Sequence, residues 1–289
     1  MEKKLLRMML LALGIVPSLF AVRGDNDAIE NAEACNSSEV IWFEALDSTE
    51  QLKLIEADGL KEATKKAITK IYLSWALSDL STKRIKTIFE KLEEYPSLTG
   101  LDLSNNNGLG YSAEAAKAFA EGLKCLTRLT NLNLGSNDLW RNVEATKAFA
   151  EGLKCLTRLT NLNLGSNDLW RNVEATKAFA EALKVLKKLT NLDLSYNGLG
   201  QAVRFSYEAA KEIAEALKCL ASLTDLNLGG NCLGNNVEVA KAFAEALKCL
   251  SRLTSLNLSY NDLGCCDVEA AKAFAEGLKC LTGLTGLNL

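Results

Sequence analysis

From Leu98 onward the chain alternates two kinds of pattern. Short runs switch between apolar and polar at every residue, and each is followed by a longer stretch with apolar residues three and four positions apart. In Leu129 to Leu139, LTNLNLGSNDL, the period of two sends Leu132 and Leu134 to one side and Asn131, Asn133 and Gly135 to the other, as a strand requires. In the stretch that follows, Ala145, Ala148, Phe149, Gly152, Leu153, Cys155 and Leu156 share one helical face, and Lys147, Glu151 and Lys154 lie opposite. The pattern predicts a strand and then a helix around one core, with small residues letting the two approach closely.

The strand motif begins at Leu98, Leu129, Leu159, Leu189, Leu223, Leu253 and Leu284, at intervals of 30 to 34 residues. A fixed period of this size marks a solenoid, whose units contact only their neighbours. Residues 117–151 recur unchanged as 147–181, so a unit has been copied without penalty. Helix caps are expected at Ser112, Asn142, Asn172, Ser206, Asn236 and Asp267, each with a glutamate two residues later, because a side-chain oxygen and a carboxylate both favour the free amides of a first turn. From each cap to the next motif leucine is 17 residues, so all length variation falls in the strand-to-helix loops. Variable loops on a fixed scaffold are where specificity is expected. Asn106, Asn137, Asn167, Asn197, Asn231 and Asn261 fall where the chain leaves the strand. Their amides are expected to be buried and to bond backbone groups of adjacent turns.

The motif L-x-x-L-x-L-x-x-N-x-L with its amphipathic helix resembles the leucine-rich repeat family, and a unit of this length with a full helix is similar to the ribonuclease-inhibitor-like subtype. The resemblance spans residues 98–289, and more weakly from about 68. It implies an α/β leucine-rich repeat solenoid, a horseshoe with a concave parallel β-sheet and convex α-helices, and names no particular partner.

Four segments are expected. Residues 1–24 read as a signal peptide, with Lys3, Lys4 and Arg7 before an apolar run from Met8 to Val22 that is short for a membrane span. Residues 25–38 form a polar leader. Residues 39–97 make an N-terminal cap and degenerate first repeat, with helices at Thr49–Ala57 and Ser81–Tyr95 and a strand-like Ile68–Leu73 in which Ala76 replaces the asparagine. Residues 98–289 hold six complete repeats and a truncated seventh. Its strand, Leu284–Leu289, is expected to present an open edge, read either as a fragment of a longer array or as an edge covered by another subunit.

The formal charge is −3, and without residues 1–24, which carry a net +3, it is −6. That opposes a general nucleic-acid or anionic-membrane role. The chain contains no histidine, so the commonest general base and metal ligand is missing. Cys125, Cys155, Cys219, Cys249 and Cys280 share one repeat position with Val185 and are expected as packed free thiols. Cys232, Cys265 and Cys266, in adjacent loops, are candidates for a disulfide in an oxidising compartment.

The expected function is a non-catalytic protein-binding module without cofactor or metal. Candidate contacts are Trp140 and Trp170, which replace loop glycines of other repeats, with Tyr196, Tyr260, Asp138, Asp168, Asn133, Asn163, Asp193 and Arg204. Aromatics of this kind are enriched at interface hot spots, and the alternative for both tryptophans is loop cover. A protein partner is expected, with no nucleic acid and no membrane span after signal cleavage, the chain being a monomer or an edge-mediated oligomer. The expected location is secreted or extracytoplasmic, or, to reconcile export with reduced thiols, the cytosol of another cell. Alternatives by class are a GTPase-activating protein, which one group with similar repeats implies, and a purely structural repeat fragment.

Overall fold

Leucines two apart can bury both side chains only if the backbone is extended and its amides are paired by neighbours of the same pattern. The computed structural model shows that solution, describing residues 46–289 except 79, 108–111, 140, 202–205 and 264–267. Eight strands of three residues each, β1 (Lys70–Tyr72), β2 (Gly100–Asp102), β3 (Asn131–Asn133), β4 (Asn161–Asn163), β5 (Asn191–Asp193), β6 (Asp225–Asn227), β7 (Ser255–Asn257) and β8 (Gly286–Asn288), form one parallel sheet in chain order. The register keeps one apolar row in line, from Ile71 through Leu101, Leu132, Leu162, Leu192, Leu226 and Leu256 to Leu287. A solenoid with a parallel sheet on one side and helices on the other is therefore what the molecule has.

Among the described residues the helices are α1 (Ser48–Glu56), α2 (Glu62–Ala67), α3 (Thr82–Leu92), α4 (Ala113–Cys125), α5 (Val143–Lys154), α6 (Val173–Val185), α7 (Ser206–Leu217), α8 (Val237–Lys248) and α9 (Val268–Leu278). Phe89, Phe119 and Phe149 stack through the helical layer with ring centroids 4.7 Å and then 5.2 Å apart. A Cβ on Gly122 would lie 2.2 Å from Cγ of Phe89, so only glycine lets α4 close onto α3. The expected caps hold at Ser112, Asn142, Asn172 and Asn236, each accepting from the amide three residues on. Ser206 instead begins α7 itself, and Asp267 lies outside the described residues.

Two ladders tie the repeats together. Asn106, Asn137, Asn167, Asn197, Asn231 and Asn261 are buried as expected. Asn137 Nδ2 donates to the carbonyls of Leu134 and Leu103 at 2.8 and 3.1 Å, while its Oδ1 accepts from the Asn106 amide at 2.8 Å. The same hand-off runs from Asn137 N to Asn167 Oδ1, Asn167 N to Asn197, Asn197 N to Asn231 and Asn231 N to Asn261. At the first repeat, where Ala76 stands in the asparagine position, the Leu77 amide takes Asn106 Oδ1 at 2.7 Å and closes the row. A second ladder, not foreseen from the sequence, runs before the strands: Thr130 N donates to Thr99 O, Thr160 N to Thr130 O and Thr190 N to Thr160 O at 2.8 to 2.9 Å.

The first repeat also holds α2, whose sequence EATKKA carries no apolar period and so gave no signal. Its Lys65 is buried and bonds Asp58 at 2.5 Å and Glu94 at 2.6 Å, with Glu62 nearby, which raises its pKa and locks α2 to the ends of α1 and α3. Charges removed from water in this way need such partners.

The cysteine expectation is corrected. Cys125, Cys155, Cys249 and Cys280 are free but exposed, and Cys219 is half-buried. The position ends each helix on its outer side, where Cys125 Sγ reaches back to the Glu121 carbonyl at 3.7 Å, and Val185 is 42% exposed. Valine replaces cysteine there because the site is open, not because it is packed. Cys232 is a free, half-buried thiol, with Cys265 and Cys266 outside the described residues.

Candidate functional site

Because side chains alternate across a strand, every repeat presents its outward residues at the same height, and the sheet becomes a surface of rows. One row reads Lys70, Gly100, Asn131, Asn161, Asn191, Asp225, Ser255, and the next Tyr72, Asp102, Asn133, Asn163, Asp193, Asn227, Asn257. They line an open groove of about 540 Å³ across β1 to β7.

Within the rows the polar groups interlock. Asn133 Nδ2 donates to Asp102 Oδ2 at 3.2 Å and its Oδ1 accepts from the Gly135 amide at 3.0 Å. Asn163 Oδ1 accepts from the Gly165 amide at 2.8 Å. Asp193 accepts from the amide and hydroxyl of Ser195 and from Asn227 Nδ2 at 2.8, 2.6 and 3.1 Å. Among the described residues, Nδ2 of Asn131, Asn163, Asn191 and Asn257 has no protein acceptor, which leaves donors aimed into the groove. Three carboxylates, Asp102, Asp193 and Asp225, face one ammonium, Lys70, so the groove is acidic.

Beyond each strand from β1 to β7 the chain turns through a left-handed residue. Trp75, Asn105, Ser136, Ser166, Tyr196, Gly230 and Tyr260 occupy this repeat position, with φ between 53° and 68°. A side chain here is thrown out of the turn. Trp75, Tyr196 and Tyr260 are 70%, 55% and 76% exposed. Tyr196 lies along the next repeat, where a Cβ on Gly230 would meet its ring at 2.5 Å. Trp75 and Tyr72 were not singled out in the sequence because the first repeat is degenerate, although alignment on Ile68 puts both in the rows named above.

Asp138 and Asp168 share a second left-handed position and are each held by an arginine three residues on, Arg141 and Arg171, at 2.9 Å. Trp170 lies in a short 3₁₀ turn, Leu169–Arg171. Trp140 and Arg204 lie outside the described residues. The structure thus brings Asn133, Asn163 and Asp193 into the groove, puts Tyr196 and Tyr260 on its rim, and sets Asp138 and Asp168 on the adjoining loops.

What this arrangement offers is repeated hydrogen bonding and aromatic contact along a surface. Among the described residues no group of His, Cys, Asp and Glu could hold a metal ion, and no helix is long and apolar enough to cross a membrane.

No family model matches the chain, and no curated protein matches it. Solved structures do. The leucine-rich repeat-containing protein LegL7 from Legionella pneumophila is similar at a TM-score of 0.39 and 19% identity, over 84% of this chain and 87% of that one. The tropomodulin C-terminal domain of Caenorhabditis elegans gives 0.40 and 15%, over 60% and 93%. TLR13, solved in complex with ssRNA13, gives 0.41 and 20%, over 80% and 34%.

Proposed function

We propose that this leucine-rich repeat solenoid, of the ribonuclease-inhibitor-like form with a full helix per repeat, is a non-catalytic protein-binding module. Its recognition surface is the groove with the aromatic rim. The observation that carries this reading is the row structure: asparagine and aspartate recur in register in both rows on successive strands, with donors left open on Asn131, Asn163 and Asn191, beside exposed Tyr196 and Tyr260. Repeated contacts of one kind suit a partner that spans several repeats, whereas chemistry needs different groups converging on one atom. Asp138, Asp168 and Trp170 belong to the same proposal as contacts on the loops beyond the strands, and Trp140 and Arg204, outside the described residues, join it on their sequence positions alone.

The export reading rests on residues 1–24, and delivery into another cell's cytosol on the exposed, unpaired Cys125, Cys155, Cys249 and Cys280, which persist as thiols in a reducing compartment. Finding the protein confined to the cytosol of its producing cell would sink that part.

The binding test uses the full chain as bait and compares it with two variants. Asn163→Arg with Tyr196→Ala alters groove and rim, and Lys147→Glu alters the outer face of α5. The expected outcome is a retained protein whose affinity drops by roughly 2 kcal/mol or more with the first variant and is unchanged with the second. Equal retention by all three would place the interface elsewhere.

A further inference from the structure

The other end of the strands is chemically different. After each helix from α4 on, the chain enters the next strand through a short turn, CLTRLT before β3. The lysine of the helix's last turn folds back on a glutamate three residues earlier: Lys124 on Glu121, Lys154 on Glu151 and Lys184 on Glu181, each at 2.6 Å. The cation four residues further on does not. Arg128, Arg158, Lys188 and, two repeats later, Arg252 are exposed and have no ion pair or hydrogen bond among the described residues. Lys187, beside Lys188, reaches only the Cys219 carbonyl, at 3.3 Å. The threonine ladder at residues 99, 130, 160 and 190 fixes the backbone here in sheet register, so successive cations stand about one strand spacing apart, ~4.8 Å at the backbone. Like charges so spaced repel, and the complement of a helix C-terminus is already supplied by the lysine on its last turn.

We propose that this edge, at the start of β3, β4 and β5, docks an extended acidic segment of a protein partner, independently of the groove. The charge asymmetry supports it: three carboxylates lie in the groove, and the unpaired cations lie along one edge outside it. A phosphodiester chain fits less well, because the exposed aromatics that stack bases, Trp75, Tyr196 and Tyr260, stand at the opposite end of the strands and the whole chain carries net −3.

The test is a titration of the full chain with three probes: a labelled oligoglutamate peptide, an oligouridylate of matched charge, and vesicles of phosphatidylserine and phosphatidylcholine. The peptide is expected to bind, and to bind less as ionic strength rises from about 0.01 to about 0.15 M. Reversing the ladder with R128E, R158E and K188E should weaken it by about tenfold or more. Reversing Lys147, Lys177 and Lys241, which are paired with glutamates on the helices' outer face, makes the same change in net charge and should stay within about twofold. If the reversed ladder melts early, R128Q, R158Q and K188Q serve instead, with about threefold loss expected. Absence of peptide binding, equal loss in the control, or tighter binding of oligouridylate or vesicles would overturn the proposal.

Discussion

Asn137 shows how one side chain can be a joint between two units. Its amide serves carbonyls of its own and the preceding repeat and receives the preceding repeat's Asn106 amide, all away from water. Asn137→Ala leaves the Asn106 amide without a partner and the Leu103 and Leu134 carbonyls with only the side-chain amides of Asn106 and Asn167, and should cost about 1 to 3 kcal/mol in unfolding free energy by denaturant titration. Asn137→Asp keeps the acceptor but turns a carboxylate toward two carbonyls, so it should be no better than alanine at neutral pH and should recover as the solution is acidified through the carboxyl's raised pKa. An aspartate variant as stable as the parent would show that the donor bonds carry little. This residue's role was legible because its position in the motif has few physical solutions. The cysteine position was misread for the converse reason: cysteine and valine exchange equally well in a tight core and at an open helix end, and only the structure tells which. Trp75 was missed because Ala76 stands where its repeat should have the turn asparagine, so nothing marked the residue before it as an outward turn position.

Helices and strands with a clear period were readable to within a few residues, as α1, α3 and β1 show against their expected bounds. The helix α2 was not, since its stability comes from ionic contacts of Lys65 that leave no periodic trace. These contacts lie beside Tyr95, which follows α3. Burial, above all, pushes the Tyr95 hydroxyl up to about 12, against about 10 in an unfolded chain. A raised folded-state pKa means that the tyrosine's contribution is complete below about pH 10 and is lost as pH rises toward about 12, because only the unfolded chain ionises in that window. Tyr95→Phe should therefore gain melting temperature relative to the parent between these pH values. A difference that stays flat through the window would show that Tyr95 does not govern the alkaline limit. The groove residues were legible by alternation alone, whereas Trp140, Trp170 and Arg204 rest on loop irregularity, a weaker guide because a loop can satisfy its own groups in many ways.

At the scale of the whole molecule, stability is close to a sum of unit and neighbour terms, since among the described residues the helices and strands pack against those of the adjacent repeats. The two ladders that cross the boundaries, amide to asparagine and threonine to threonine, have the same form at successive boundaries. The two identical stretches turn this into a particular expectation. Excising residues 117–146 and excising residues 147–176 produce one and the same polypeptide, because the segments match letter for letter. That shortened chain should fold, with one strand fewer in the sheet and a cooperative thermal transition near the parent's by circular dichroism. A molten or aggregated product would mean that the repeats communicate beyond their neighbours. If it folds, the molecule behaves as a ruler with interchangeable divisions: its reach can be lengthened or shortened by recombination alone, without inventing a single new contact.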